Sequence, residues 1–252
     1  SAAALSSSVI AVYQVVRPMA EKKIDIRRAA GRFLTKTSWL DSRHSFSFAE
    51  HYDPENTGHG LLLVSNDDII APGTGFMTHP HRDMEILTWV LEGELEHKDS
   101  EGHQGVVYPG LAQRMSAGTG IRHSEINPNR SKPVRLVQMW VRPDAAGIKP
   151  GYEQLDIGKD LDRGGLIAVA SGDPKHAAIS IRQKGATLWA GRLKPGTEVR
   201  LPDAPHIHLF IAKGGAALES AGGLREGDAV RLSAAGELRL TAGSEAGAEI
   251  LI

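Results

Sequence analysis

A chain of 252 residues has room for two cores of ordinary size or one large barrel, and its 41% hydrophobic and 23% charged content fits a globular protein. A net charge of -1 supplies no basic field for nucleic acid or an anionic membrane, and no apolar run approaches the roughly 20 residues of a spanning helix. The absence of cysteine excludes disulfides, thiolate ligands and a cysteine nucleophile, so any transition metal must sit on His, Asp or Glu.

Residues 1–8, SAAALSSS, lack the basic residues that open a secretory signal, and Arg17, Lys22 and Lys23 follow the apolar stretch Val9–Val16 instead of preceding it. A cytoplasmic protein is expected, with residues 1–23 an extension. From there short apolar runs rich in branched residues recur between turn signals: Leu61–Val64, Ile86–Leu91, Leu136–Val141, Ile207–Ala212 and Leu238–Leu240. No long helical period with caps interrupts them, so an all-β protein of sandwich or barrel type is predicted. Residues 143–165, rich in Pro, Gly and Asp, carry apolar side chains too sparsely for a strand. They suggest a linker, placed at 149–165 between a unit over 24–148 and another over 166–252. Glu85–Gly93 and His206–Gly214 align as apolar strands ending in a charge and a turn glycine, which points to duplication.

The chemistry concentrates in GTGFMTHPHRDMEILTWVLEG, residues 73–93. In a strand, positions i and i+2 share a face, so His79 and His81 project together, and Pro80 between them disfavours helix. GTGIRHSEIN, residues 118–127, repeats the spacing with His123 and Glu125. Two such pairs on neighbouring strands would make a cage of three imidazoles and a carboxylate, chemically open to iron, manganese, cobalt, nickel, copper or zinc. An octahedral ion there keeps two positions for water, dioxygen or substrate, whereas tetrahedral zinc would be closed. A lone His79-x-His81 would read as exposed strand histidines, but two i, i+2 donor pairs flanked by turn glycines favour a metal site, with Glu125, the weaker member, open to pairing with Arg122 or Arg135 instead.

Gly73, His79-x-His81, Glu85 and Gly93, followed by Gly120-x-x-His123-x-x-x-Asn127, resemble the two motifs of the cupin superfamily, with Gly118 where proline is usual. Within it, HPHRDMEILTWVLEG, MSAGTGIRHSE and the upstream WLDSRHSFSFAEHYDPE resemble the pirin family, over about residues 24–252 and more weakly in the second half. That resemblance implies two tandem jelly-roll cupin barrels with one divalent metal, iron(II) foremost, in the first. It implies His79, His81, His123 and Glu125 as ligands, with Glu85 in a supporting role. It also implies quercetin 2,3-dioxygenase activity, in which a flavonol is opened by O2 and carbon monoxide leaves, with Glu125 as general base. The alternative it offers is a metal- or redox-sensing regulator working through a protein partner. A monomer is expected.

Counting back from Gly214 as from Gly93, the places of His79 and His81 fall on Arg200 and Pro202, and aligning Gly118–His123 with Ala234–Arg239 puts those of His123 and Glu125 on Arg239 and Thr241. The second barrel therefore lacks all four donors, and His206 and His208 are expected to be strand or rim histidines. His44, His51, His59, His97, His103 and His176 have no paired donor in sequence and are assigned hydrogen-bonding or surface roles. Phe46, Phe48 and Met115 are read as packing, Gly118-x-Gly120 as a turn, and Arg130, Lys132 and Arg135 as a solvated face.

Overall fold

The computed structural model describes residues 20–173 and 175–252, so most of the expected extension, residues 1–19, lies outside the described residues. The described chain is built almost wholly of strands, as the short apolar runs require. One sheet of the first barrel runs, in spatial order, Gly151–Asp156, Leu111–Ser116, Glu85–Glu92, Val134–Val141, Leu62–Ile70, Leu40–His44 and Phe33–Lys36. The facing sheet holds Gly75–His81, Ile121–Ile126, Leu95–Asp99 and Gln104–Val107. A second, ten-stranded array follows the same jelly-roll logic, with nine strands from Ile167 onward and a tenth at Lys23–Arg27.

The strand Glu85–Glu92 is apolar on both faces because each face meets a different core. Ile86 and Val90 turn into the first barrel, beside Met115 and Ile121 or Leu95 and Val107. Leu87, Trp89 and Leu91 point the other way and join Val137, Met139, Phe210, Ala212 and Leu251 in a cluster between the barrels. The second barrel closes its own core with Leu209, Ile211, Val230, Leu232, Leu240 and Ile250. Each such fully buried side chain contributes roughly 1.5–3 kcal/mol. Phe46 and Met115, both 1% exposed, pack as expected. Among the described residues no helix is long and apolar enough to cross a membrane.

Two features depart from the sequence reading. The presumed linker contains the strand Gly151–Asp156, which pairs residue for residue with Leu111–Ser116, and the short helix Gly158–Asp162. An edge strand gains its order from backbone hydrogen bonds, so the sparse apolar content that argued against a strand does not prevent one. Leu161 then anchors the helix in the inter-barrel cluster, fully buried. The division at residue 24 likewise does not anticipate that Lys23–Arg27 pairs with Ala229–Ser233 in the second barrel's array. The chain returns to the first barrel through the turn Ala29–Gly31, secured by Arg28 Nη1 and the Ala29 N–H on the Asp228 carboxylate at 2.8 and 2.9 Å. Arg32 completes the seam, donating to Gly227 and Arg43 carbonyls and lying over the Phe210 ring.

Because both barrels share one apolar seam, they should unfold together. Trp89→Ala, which removes the largest side chain of that seam and its 2.9 Å bond to Glu249, is expected to cost about 3–5 kcal/mol. Urea denaturation followed by fluorescence and by circular dichroism checks this: the two curves should coincide and shift together.

Candidate metal centre

The centre is set by one antiparallel pairing. Gly75–His81 lies on Ile121–Ile126 with His79 opposite His123 and His81 opposite Ile121, and the register slips between His123 and Glu125. Gly75 permits the slip, because a Cβ there would stand 2.2 Å from the Glu125 carbonyl oxygen. Pro80, which has no N–H to give, is tolerated because its strand is at the sheet edge.

Strand alternation then brings the three imidazoles together, with ring centroids 4.8 Å apart for His79 and His81, 4.5 Å for His79 and His123, and 4.9 Å for His81 and His123. Their ligating nitrogens all lie within 4.8 Å of one another. His79 Nδ1 donates to the Met77 carbonyl at 2.7 Å, which leaves Nε2 as its lone pair, 3.0 Å from His123 Nε2. His81 Nε2 is buried without a partner. Burial above all, then the neighbouring imidazoles, lowers His81 to about 4 and His123 to about 3, so both are neutral at physiological pH. Converging neutral imidazole nitrogens, one of them orphaned, are the donor set a divalent cation requires.

Glu125, 3% exposed, approaches from the same strand with Oε2 3.7 Å from His123 Nε2. It stands outside the mutually close set, and Gln138 Nε2 donates to both of its carboxylate oxygens, at 2.8 and 3.0 Å. The Trp140 indole N–H in turn donates to Gln138 Oε1 at 3.1 Å, and its ring stands edge-on to His81 and Phe48. Gln138 and Trp140 escaped the sequence reading. Their signal was a glutamine two residues before a tryptophan inside an apolar strand, which puts both on the barrel's inner face. Asp68 was missed too: burial, reinforced by the Glu125 charge and opposed by the Ser42 hydroxyl, raises its carboxyl to about 7.

The remaining candidates sort by strand face. Glu85 turns away from the imidazoles and accepts from Ser116 Oγ at 2.9 Å and the Arg182 N–H at 3.1 Å, joining the first barrel to the second. Arg82 donates instead to the Thr119 carbonyl. Arg135 is no partner of Glu125 but pairs with Asp67 and Glu226. His97 is not a histidine without a partner: it is buried and bonded at 2.9 Å to Asp99, two residues on. His206 and His208 join no donor cluster among the described residues. In the second barrel Arg239 stands opposite Arg200, as His123 stands opposite His79 in the first.

An open depression of about 600 Å³ formed by Pro80, His81, Arg82, Ser100, Gly120, Ile121 and Arg122 gives solvent access beside His81. A more apolar cavity of about 500 Å³, lined by Leu87, Met139, Trp189 and His206 among others, lies between the barrels and does not include the three imidazoles.

Two jelly-roll barrels in tandem, with donor side chains clustered only in the first among the described residues, define a two-barrel cupin. The pirin family model matches residues 24–141, and a quercetinase C-terminal cupin domain matches residues 168–252. A Mycobacterium tuberculosis protein named "Putative quercetin 2,3-dioxygenase" is 57% identical over 230 residues, 91% of this chain and 93% of its own. An Escherichia coli quercetin 2,3-dioxygenase is 48% identical over 160 residues, 64% of this chain and 68% of its own. The crystal structure of the E. coli bacterial pirin YhhW in complex with nickel(II) superimposes with a TM-score of 0.83 at 36% identity, covering 91% of this chain and 97% of that one. The chain belongs to the pirin family.

The depressed imidazoles set a pH dependence for the metal-free protein. Unfolded histidines take up protons below about pH 6.5, while folded His81 and His123 stay neutral to about 4 and about 3. Their contribution is therefore fully present above pH ~6.5 and drains as the pH falls toward 4. The melting temperature of metal-free protein should decline steadily over that window, and His123→Phe should flatten the slope.

Proposed function

We propose that His79, His81, His123 and Glu125 hold one divalent metal, iron(II) foremost, and that the chain is a dioxygenase opening flavonols such as quercetin with O2. The observation that carries this reading is the convergence of three imidazoles kept neutral by burial, with a carboxylate beside them and an opening to solvent. The names of the relatives and the nickel in the E. coli pirin support it.

When bound, the metal supplies Lewis-acid activation and a template for the substrate hydroxyl and O2. The side chains do the rest. Glu125 is placed to take the proton of the flavonol hydroxyl, and Gln138 holds the carboxylate in position through both oxygens. Asp68, its carboxyl raised to about 7, gives the barrel a second group able to exchange a proton near neutral pH. Trp140, edge-on to both His81 and Phe48, offers an aromatic wall for a flat ring. In the net reaction both atoms of O2 enter the ring-opened ester and one ring carbon leaves as carbon monoxide.

The test is anaerobic loading with iron(II), manganese, cobalt, nickel, copper or zinc in turn, followed by quercetin loss, O2 uptake and carbon monoxide release. Turnover above free metal is expected for at least one ion and should vanish in His123→Ala; no turnover with any ion overturns the reading. Gln138→Leu should retain metal stoichiometry yet lower turnover by about 10–100-fold, read from kcat alongside metal analysis.

A further inference from the structure

The strand Leu95–Asp99 flanks Ile121–Ile126 on the side away from His79 and His81, with His97 opposite Glu125 and Asp99 opposite His123. It brings to the centre an imidazole that the four proposed ligands leave unused. His97 Nε2 lies 2.9 Å from Asp99 Oδ2, and the two side chains are 1% and 0% exposed. Asp99 is itself pinned, its Oδ1 accepting the N–H groups of Glu101 and His103 at 3.0 Å each. A carboxylate accepts and does not donate, so the bond puts the His97 proton on Nε2 and leaves Nδ1 as a bare lone pair.

That Nδ1 is buried and has no partner among the described residues. The same holds for Nδ1 of His123, and the two rings lie 5.4 Å apart between centroids, inclined at 59°. Tyr152 covers His97 from the other side at 4.9 Å. The two orphans are complementary. A cation on Nε2 of His123 obliges that ring to carry its proton on Nδ1, where a buried N–H needs an acceptor.

We propose that His97, its tautomer fixed by Asp99, is the positioning residue that accepts the Nδ1–H of His123 through one buried water. A line of carboxylate, imidazole and imidazole then runs from Asp99 to the nitrogen that faces the metal, setting the plane and the basicity of His123. The inference rests on the metal reading above.

Nickel(II) titration calorimetry on the full chain tests it, with thermal melts of the metal-free forms confirming that each variant is folded. Asp99→Asn is the decisive substitution. Its Oδ1 can keep both backbone bonds while its amide donates to His97 Nε2, which moves the His97 proton to Nδ1 and turns the acceptor into a donor without changing shape. Asp99→Asn and His97→Phe should each weaken nickel binding about 10–100-fold, whereas His97→Asn, which retains an acceptor near Nδ1, should stay within about threefold. Long-range nitrogen NMR of the zinc-loaded parent should show His97 protonated on Nε2, a readout that needs no variant to fold. Parent-like nickel affinity in both Asp99→Asn and His97→Phe, or a His97 protonated on Nδ1 in the parent, overturns the relay alone. A parent chain that binds no nickel overturns the metal reading and the relay with it.

Discussion

The pairing of Gly75–His81 with Ile121–Ile126 is the constraint on which the centre depends. Three donors come from a register, not from a loop, so they are held by the backbone hydrogen bonds of a sheet before any ligand arrives. The slip between His123 and Glu125 is part of the same device. It places the extra residue on the Gly75–His81 side, three steps from Phe76 to His79 against two from Glu125 to His123, so Glu125 keeps its alternation and reaches Gln138 on the facing sheet. The cost of crowding neutral imidazoles falls on the barrel's apolar interior, and the depressed affinity of His81 and His123 for protons is the electrostatic expression of that cost.

The strand Val134–Val141 serves two masters through its period of two. Gln138 and Trp140 face the proposed metal, while Val137, Met139 and Val141 face the second barrel. The second barrel thus buttresses a wall of the centre from behind. This gives a physical reason for a barrel that carries Arg200 and Arg239 where the first carries His79 and His123: its apolar face is what the first barrel's sheet packs upon.

The all-β class and the grouping of His79, His81 and His123 were legible because both follow from local spacing: strands alternate, and two i, i+2 pairs need only one register to meet. Gln138 and Asp68 were not, since each depends on which strands become neighbours across a barrel. His97 is instructive here. It sits two residues before an aspartate, the same spacing as the recognised pairs, but lacks a second motif to mark it. The strand Gly151–Asp156 was hidden for another reason: an edge strand draws order from its neighbour's backbone, and composition does not record that. The crossing of Lys23–Arg27 was invisible because its partner lies near the opposite end of the chain.

That crossing bears on how the molecule is made. Ribosomal synthesis delivers Lys23–Arg27 well before its partner Ala229–Ser233. The first barrel's imidazoles can gather while translation continues, yet Lys23–Arg27 has nowhere to dock until the second barrel exists. A pairing with so long a closing loop forms slowly, and until then an unpaired edge is exposed to other chains. Lys23–Arg27 acts as a latch set by the much later Ala229–Ser233, so a chain cut between the barrels would leave that latch without its catch.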